Sequence, residues 1–412
     1  SDLELSRNHA NGGLTQKRTD AKRNGRSSCL AVAVDSSIMT APVEYFDAGE
    51  ECLGREALQA LQLRKFREMA AQIAGNEFFS RKYESPGVVL TQIESLDALR
   101  ALPFTTKAEL VADQAEHPPY GTNLSYPQEQ YTRVHATSGT TGSRLRWLDT
   151  PESWDWFMRC WGMIYRATGV MPEDRLLFAF SFGPFIGFWA AFEGAQRLGN
   201  FCLPTGGMNT STRLAAIVEH SITVVCCTPT YALRLAEVAK EEGIDLAKSP
   251  VRTIVVAGEP GGSIPATRKR VEEAWPGATV FDHHGMTEVG PVTVSDPRNP
   301  DLLRIYHPSY HAEVIDPESG SAVELGAVGE LVLTTLGRYG SPLIRYRTGD
   351  LVKPVSVGSM DPAEFALEGG IIGRADDMVV VRGVNVYPSA IEAVVRSVDG
   401  IGEFKVEVDE RG

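Results

Sequence analysis

The sequence has 412 residues, of which 43% are hydrophobic and 23% are charged, and its formal net charge at pH 7 is −13. This composition is typical of a globular protein with two or three domains. The negative charge disfavours nucleic-acid and anionic-membrane partners, and no apolar run reaches the roughly 18 residues of a membrane-spanning helix. Six cysteines without a CxxC pair and the lack of a signal-peptide pattern predict reduced thiols in a cytoplasmic protein.

The N-terminal third begins with a segment, 1–38, that has few apolar residues and no period. We expect it to be a tag-like or disordered tail. Helical spacing of apolar residues then predicts one helix from Gly54 to Phe78. Two short helices should flank Pro103, with Thr105 or Thr106 as the N-cap of the second.

From residue 176 onward, apolar strands alternate with amphipathic helices, one of which should have Ser211 as its N-cap. This alternation predicts an α/β fold with a parallel, helix-covered sheet that binds ligands beyond the carboxyl ends of its strands. Segment 311–336 reads as antiparallel strands joined by turns, and 373–398 reads as a short strand, a turn and a helix.

The run Thr137-Ser-Gly-Thr-Thr-Gly142 buries almost no apolar surface, so it is either a flexible linker or a loop that offers N–H and hydroxyl groups to a ligand. It is not a Walker loop, because Ser143 and Arg144 follow Gly142. The run by itself does not decide between these two interpretations.

A second motif, 281–291 (FDHHGMTEVGP), follows the last predicted parallel strand. Glu288 could hold Mg²⁺ and Thr287 could bond a phosphate oxygen, although a solvated surface carboxylate is the alternative. His283 and His284 lack the ligand spacing of a zinc site, which favours packed or stacking histidines. In the third motif, 346–351 (YRTGDL), Asp350 after a tight glycine turn could accept both hydroxyls of a ribose or could be an ordinary turn residue.

The joint order of TSGTTG, GEP (258–260), HGMTE, YRTGD and GRADD resembles the adenylate-forming superfamily of acyl-CoA synthetases, adenylation domains and luciferases. Within it, LPFTTKAEL, HATSGTTG, TPTYALRLAE and AGEP are similar to the phenylacetate-CoA ligase branch, and the resemblance covers roughly residues 55 to 412. It implies a large N-terminal domain over 39–372 and a hinge with a small C-terminal domain over 373–412. It also implies an ATP-dependent carboxylic acid:CoA ligase that uses an acyl-adenylate, with ATP, Mg²⁺ and coenzyme A.

The resemblance also implies roles for individual residues. The Ser/Thr/Gly run would bind the β- and γ-phosphates, through Thr137, Ser138, Gly139, Thr140, Thr141 and Gly142. The remaining nucleotide site would consist of Glu259 and Pro260 beside adenine, His284 stacked on it, His283 and Gly285 in the same motif, Thr287 on the α-phosphate, Glu288 on Mg²⁺, Asp350 on the ribose and Arg374 near the ribose or phosphates. Asp376 would be the hinge, and Gly383 would let the pantetheine arm of CoA pass.

An aryl or arylacetic acid would suit a flat apolar slot formed by Phe182, Phe185 and Phe188, unless these rings are helix core. A hydrogen-bonding residue there, Tyr165 or Ser181, would favour a small branched or hydroxylated aliphatic acid. Gly258 and Met286 complete the candidate pocket.

The adenylation lysine of the family lies near the end of the small domain, and Lys405 is a poor stand-in for it. We therefore expect a truncated small domain. Two alternatives stay open: a stand-alone adenylation enzyme that loads a carrier protein, and a non-catalytic adenylate-binding protein. A serine hydrolase and a dinucleotide oxidoreductase are disfavoured, because neither GxSxG nor GxGxxG occurs. A homodimer is left open.

Overall fold

The computed structural model describes residues 45–137, 144–357 and 365–375, with short segments at 379–381, 384–386, 391 and 394–395. These residues belong to one unit that spans Met39–Gly412. The predicted tail, 1–38, lies outside the described residues, as does most of 373–412. The division of the chain into three parts therefore stays a prediction.

The first elements are helices: α1 (Ala48–Glu51), α2 (Arg55–Gln72), α3 (Glu77–Glu84), α4 (Leu96–Arg100) and α5 (Lys107–Glu116). The prediction of one helix from Gly54 to Phe78 is wrong, because the helix ends at Gln72 and a new one begins after Asn76, whose side chain accepts from the Phe79 N–H. Thr106 is the N-cap of α5, where it forms a capping box with Glu109.

A β-hairpin follows, formed by β1 (Arg133–Ala136) and β2 (Arg146–Asp149), with Ala136 opposite Arg146. The strands flank the Ser/Thr/Gly run, so that this run connects their adjoining ends. Each strand has only four residues. The sequence did not suggest the hairpin, because such short strands carry almost no periodic signal.

The centre of the protein is a parallel sheet whose strands alternate with helices. In chain order the elements are α6 (Pro151–Ala167), β3 (Arg175–Phe178), α7 (Ile186–Arg197), β4 (Phe201–Pro204), α8 (Thr210–Glu219), β5 (Val224–Cys227), α9 (Pro229–Glu241), β6 (Thr253–Val256), α10 (Pro265–Ala274) and β7 (Thr279–Asp282). The strand order is β4-β3-β5-β6-β7, and all four pairings are parallel. The predicted parallel sheet is confirmed, but the N-cap of α8 is Asn209 rather than Ser211, since the Asn209 side chain accepts from the Thr212 N–H.

Alternate residues of β5 explain why the sheet is covered on both faces. Val224 and Cys226 pack into one apolar cluster with α6 and α7, whereas Val225 and Cys227 pack into another with α8, α9 and α10. Successive side chains of a strand point to opposite faces, so a continuously apolar strand needs a layer on each side. The described cysteines are all free thiols, and burial raises the pKa of Cys226 to about 12.

Antiparallel strands form the rest of the described chain. They are β8 (Gly285–Met286), β9 (Gly290–Pro291), β10 (Thr293–Asp296), β11 (Asn299–Ile305), β12 (Tyr310–Ile315), β13 (Gly329–Thr335), β14 (Tyr346–Val352), β15 (Pro354–Val355), β16 (Ala366–Glu368), β17 (Gly373–Arg374), β18 (Val379–Val381) and β19 (Val384–Val386). They build two four-stranded sheets, β10-β11-β16-β15 and β12-β13-β14-β17, and the pairs β8-β9 and β18-β19. The predicted α/β class with an added antiparallel region is confirmed. Among the described helices, none combines the length and apolar character needed to cross a membrane.

Candidate functional site

The candidate site lies at the carboxyl edge of the parallel sheet. The strand order reverses at β3, because β4 lies on one side of it and β5, β6 and β7 continue on the other. In open α/β sheets such a reversal leaves a crevice that binds ligands. The segment 179–183 follows β3, the segment 257–260 follows β6, and His283 and His284 follow β7. Motifs far apart in the sequence are therefore brought to one edge.

Asp350 lies in β14, and its carboxylate contacts the side chains of His284 and Arg374. Its Oδ2 is 2.9 Å from His284 Nε2, and its Oδ1 is 3.0 Å from Arg374 Nη1. Because the carboxylate can only accept, Nε2 of His284 is the donor. Gly349, which precedes Asp350, has φ +76°, and a Cβ there would lie 2.6 Å from Arg374 Nη2. The expected tight glycine turn is instead part of a strand, in which glycine makes room for the arginine.

Glu288 follows β8 and is buried, with 4% of its side chain exposed. Its Oε1 has no hydrogen-bond partner among the described residues, and the nearest cation is Lys107 Nζ at 3.5 Å. An ionised carboxylate in such a place is expensive unless a cation or hydrogen-bond donors compensate it. The orphaned oxygen therefore fits a metal ligand better than the solvated surface carboxylate that was the alternative.

Tyr346 lies in β14 with Asp350, and its hydroxyl is influenced by charges from both motifs. Burial raises the pKa of its hydroxyl, and the negative charges of Glu288 and Asp350 act in the same direction. The positive charge of Arg374 opposes them. The third motif and the HGMTE motif thus contribute to a single site.

The base of the hairpin loop is closed by Thr137. Its N–H donates to the Leu145 carbonyl at 3.0 Å, and its Oγ1 accepts from the Leu145 N–H at 3.1 Å. The two ends of the Ser/Thr/Gly run are thereby held together. Five predicted phosphate-binding residues lie outside the described residues: Ser138, Gly139, Thr140, Thr141 and Gly142.

Residues 84–337 match the family model described as AMP-binding enzyme. The chain belongs to the AMP-binding enzyme family. Its relatives include phenylacetate-coenzyme A ligases of Thermus thermophilus and Escherichia coli. Both are 32% identical to it, over 88% and 87% of this chain and 80% of each relative. The predicted resemblance to the phenylacetate-CoA ligase branch is confirmed.

A solved structure supports the same placement of this AMP-binding enzyme. The crystal structure of 2-hydroxyisobutyryl-CoA ligase in the postadenylation state, in complex with 2-HIB-AMP, has a TM-score of 0.81 and 28% identity. The match covers 90% of this chain and 79% of that chain. The same ligase in an open conformation, with 2-HIB-AMP and CoA, has a TM-score of 0.79.

The two adjacent histidines of this AMP-binding enzyme differ in environment. His283 is buried, its Nδ1 is 2.6 Å from the Thr293 carbonyl oxygen, and its ring packs 4.7 Å from Trp161. Burial lowers its pKa to about 4, so the ring is neutral at pH 7. His284 is partly exposed and bound to Asp350. The carboxylate predicted for the ribose thus holds the ring predicted for adenine, and the stacking role stays a prediction.

The segment after β6 carries Glu259 and Pro260, predicted to lie beside adenine, and Gly258, predicted for the acyl pocket. Gly258 has φ +93°, a left-handed conformation that favours glycine. The Glu259 carboxylate accepts from Thr230 N and Oγ1 at 2.7 and 2.5 Å, at the N-terminus of α9. This anion therefore stabilises the start of a helix. Pro260 and Gly285 are exposed at the same edge.

The candidate acyl-pocket residues differ in how much of each is exposed to solvent. Phe182 packs edge-on against Trp189 and Phe192, at 5.0 and 5.6 Å, while Ser181 and Phe185 are exposed. Met286 is partly buried against the core, and the side chain of Phe188 is not among the described parts of the chain.

The structure does not support the predicted role of Tyr165 in the acyl pocket. It is fully buried, and its hydroxyl donates to the Ala191 carbonyl at 2.7 Å. With its hydrogen already used, the structure places Tyr165 in the core rather than in a pocket. A sequence contains no signal that distinguishes a free hydroxyl from one bonded to a backbone carbonyl.

Sequence reasoning missed Lys107, Asp149 and Arg338. Lys107 is the first residue of α5 and approaches Glu288. Asp149 and Arg338 form a buried ion pair whose members are 189 residues apart. Lys107 stands in the LPFTTKAEL segment that carries the family resemblance, which was the available signal for it. Asp376 and Gly383 lie outside the described residues.

Proposed function

We propose that this AMP-binding enzyme is an ATP-dependent carboxylic acid:CoA ligase. In the first half-reaction a carboxylate oxygen attacks the α-phosphorus of ATP, which gives the acyl-adenylate and pyrophosphate. In the second, the thiol sulfur of CoA attacks the acyl carbon, AMP leaves, and the thiol proton passes to solvent. The observation that carries the proposal is the contact of Asp350 with His284 of the HGMTE motif and with Arg374, beside the carboxyl edge of the sheet.

The chain's own residues have mainly electrostatic and positioning roles in this proposal. Asp350 accepts hydrogen bonds from the ribose hydroxyls, and Arg374 places a positive charge beside the ribose and phosphates. Thr287 holds the α-phosphate oxygen, and the loop closed by Thr137 holds the β- and γ-phosphates with N–H groups. Fixed donors aimed at phosphoryl oxygens stabilise the charge of the transition state without reorganisation.

Glu288 is the residue that would hold Mg²⁺. Among the described residues no group of three or more His, Cys, Asp or Glu side chains could bind a metal, and Mg²⁺ characteristically combines one or two carboxylates with substrate phosphates. The single orphaned carboxylate oxygen fits that pattern. When bound, the ion would neutralise phosphoryl charge.

For the substrate we propose an aryl or arylacetic acid. The relatives of Thermus and Escherichia are named phenylacetate-coenzyme A ligases, and the edge-on rings of Phe182, Trp189 and Phe192 offer an aromatic surface near the carboxyl edge. A small hydroxylated aliphatic acid is the second candidate, because the structural neighbour binds 2-HIB-AMP. Ser181, which is exposed at the end of β3, is the hydroxyl available for such a substrate.

The test supplies the acyl-adenylate directly, so that it does not depend on the first half-reaction. The chain is mixed with synthetic phenylacetyl-adenylate and CoA, and phenylacetyl-CoA is quantified by mass spectrometry against an enzyme-free control. A parallel set combines Mg·ATP and CoA with phenylacetate, benzoate and 2-hydroxyisobutyrate. Thioester formed faster than in the control supports the ligase.

The same assay separates the alternatives. Transfer to a carrier-protein thiol but not to CoA would identify a stand-alone adenylation enzyme. Tight adenylate binding without transfer to either thiol would identify a binding protein. A hinge at Asp376, a CoA passage at Gly383, a homodimer and a cytoplasmic location are further parts of the proposal. Light scattering after size exclusion measures the oligomeric state.

A further inference from the structure

Arg338 follows β13 and is one of the most deeply buried charged residues of the described chain. Its side chain and that of Asp149 are both 0% exposed. Nε donates to Asp149 Oδ1 and Nη2 donates to Oδ2, each at 2.8 Å. This two-pronged geometry is the strongest form of an arginine–carboxylate pair.

The third guanidinium nitrogen reaches the HGMTE motif. Nη1 donates to the Thr287 carbonyl at 2.9 Å and to the Glu288 carbonyl at 2.7 Å. Those are the backbone groups of the two residues whose side chains are proposed to hold the α-phosphate and Mg²⁺. Arg338 therefore donates to the peptide units that carry these two side chains and to Asp149.

The other end of the pair belongs to the hairpin. Asp149 is the last residue of β2, and β2 begins at Arg146, shortly after the Ser/Thr/Gly loop. The Arg338 guanidinium also lies over the rings of Phe157 and Trp147, at 4.6 and 5.3 Å. One side chain thus connects the strand that leaves the phosphate loop with the turn that carries Thr287 and Glu288.

The backbone path to Arg338 depends on Gly337. This residue has φ +152°, and a Cβ there would lie 2.2 Å from Trp156 Cδ1. Glycine lets the chain pass against the indole and turn the arginine inward.

We propose that Arg338 is a positioning residue for nucleotide binding. It holds the β1–β2 hairpin and the Thr287–Glu288 turn at a fixed distance from each other. The Arg338 bridge is the set of hydrogen bonds from Arg338 to Asp149 and to the carbonyls of Thr287 and Glu288. The inference rests on the proposed function, because the spacing matters only if phosphates and a metal lie between the two parts. Four of the five guanidinium N–H groups are used, and a lysine ammonium, with three donors and no planar fork, cannot reproduce this set.

Two variants test the bridge. Arg338→Lys keeps the charge but loses the fork. The double variant Arg338→Met/Asp149→Leu replaces the buried ion pair with apolar side chains, an exchange that preserves folding in other buried pairs. Dissociation constants for Mg·ATP and for AMP without metal are measured by calorimetry, because AMP keeps the adenine, ribose and α-phosphate contacts but lacks the β- and γ-phosphates and needs no Mg²⁺. For both variants we expect the ratio of the Mg·ATP to the AMP dissociation constant to rise about tenfold.

The matched control is the pair of Arg345 and Glu313. Arg345 Nε and Nη2 bind the two carboxylate oxygens at 2.9 and 2.8 Å, and Nη1 donates to the Leu102 carbonyl. The ion-pair geometry is the same, and the side chains are 8% and 9% exposed against 0% for both members of the Arg338 pair. The bonded carbonyl, however, belongs to the segment before α5 rather than to Thr287 or Glu288. Arg345→Lys should lower stability and leave the ratio within about twofold of wild type.

Hydrogen exchange in the peptide that spans 285–292 gives a second readout. It should accelerate in Arg338→Lys and not in Arg345→Lys. An unchanged ratio in both Arg338 variants, or the same rise in Arg345→Lys, overturns the bridge while the proposed function stands. Failure of the wild-type chain to bind either nucleotide overturns the proposed function and the bridge with it.

Discussion

Two carboxylates of this protein, one partly buried and one buried, differ in how completely their hydrogen-bonding capacity is satisfied. The Glu313 side chain is 9% exposed, and both of its oxygens accept from Arg345. The Glu288 side chain is 4% exposed, yet its Oε1 has no hydrogen-bond partner among the described residues. A buried carboxylate whose hydrogen bonds are incomplete does not stabilise the fold, because its desolvation is not compensated. The difference assigns Glu313 a structural role, and it is the state expected of Glu288 if a ligand completes it, as we propose.

The largest effect expected from this comparison is on stability at Glu313. Glu313→Gln would leave the Arg345 guanidinium buried beside a neutral amide, which we expect to lower the free energy of unfolding by about 3–5 kcal/mol. Urea denaturation measures this loss, and the dissociation constant for AMP should not change. A loss below about 1 kcal/mol, the range of exposed ion pairs, would contradict the structural role.

Glu288→Gln should show the opposite pattern. Thioester formation from acid, Mg·ATP and CoA should fall about 100-fold, equivalent to about 2.7 kcal/mol of transition-state stabilisation, because the amide is a poor metal ligand. The unfolding free energy should stay the same or rise, since a desolvated charge is removed. Wild-type turnover would exclude Glu288 as the metal ligand, and turnover lost together with stability would remove the contrast with Glu313.

The neighbouring histidines extend the comparison to pH. His283 has a pKa of about 4 in the folded chain against about 6.5 when unfolded, so between these values the unfolded chain binds the proton and the folded chain does not. The neutral ring therefore contributes stability that is present above pH 6.5 and is lost as the pH falls towards 4.

Denaturation at pH 7 and pH 5 measures this contribution. Wild type should lose about 2 kcal/mol more over this interval than His283→Gln, which cannot titrate. Burial raises the pKa of Glu51 to about 7, so its protonation increases the unfolding free energy as the pH falls. This contribution is the same in wild type and in His283→Gln, and it cancels when the two losses are compared. Equal losses in the two chains would contradict the buried neutral state of His283.

The smallest effect concerns Lys107, whose Nζ lies 3.5 Å from Glu288 Oε1 and whose side chain is 37% exposed. Solvent screens such a pair, so a double-mutant cycle with Lys107→Gln and Glu288→Gln should give a coupling energy of about 0.5–1 kcal/mol. A coupling of several kcal/mol would mean that Lys107 already satisfies Glu288 and that the carboxylate needs no ligand.

The sequence predicted the parallel sheet because its strands are apolar on both faces, and this pattern needs no knowledge of neighbours. Glu288 and Asp350 were likewise recognisable, because each stands inside a motif whose order along the chain indicates the family. The contacts between motifs were not predictable. His284 meets Asp350 across 66 residues and Arg338 meets Asp149 across 189, and the acceptors on Thr287 and Glu288 are backbone carbonyls that every residue carries.

Binding of a non-hydrolysable adenylate tests the carboxyl-edge site most directly. Isothermal titration of the chain with a sulfamoyl analogue of phenylacetyl-adenylate, which needs no metal and no turnover, should give one site per chain and an affinity above that of AMP. Asp350→Asn should weaken it at least about tenfold, because hydrogen bonds from the ribose hydroxyls to a charged group are lost. No saturable binding by the wild-type chain, or equal affinities of wild type and Asp350→Asn, would contradict an adenylate site built around Asp350.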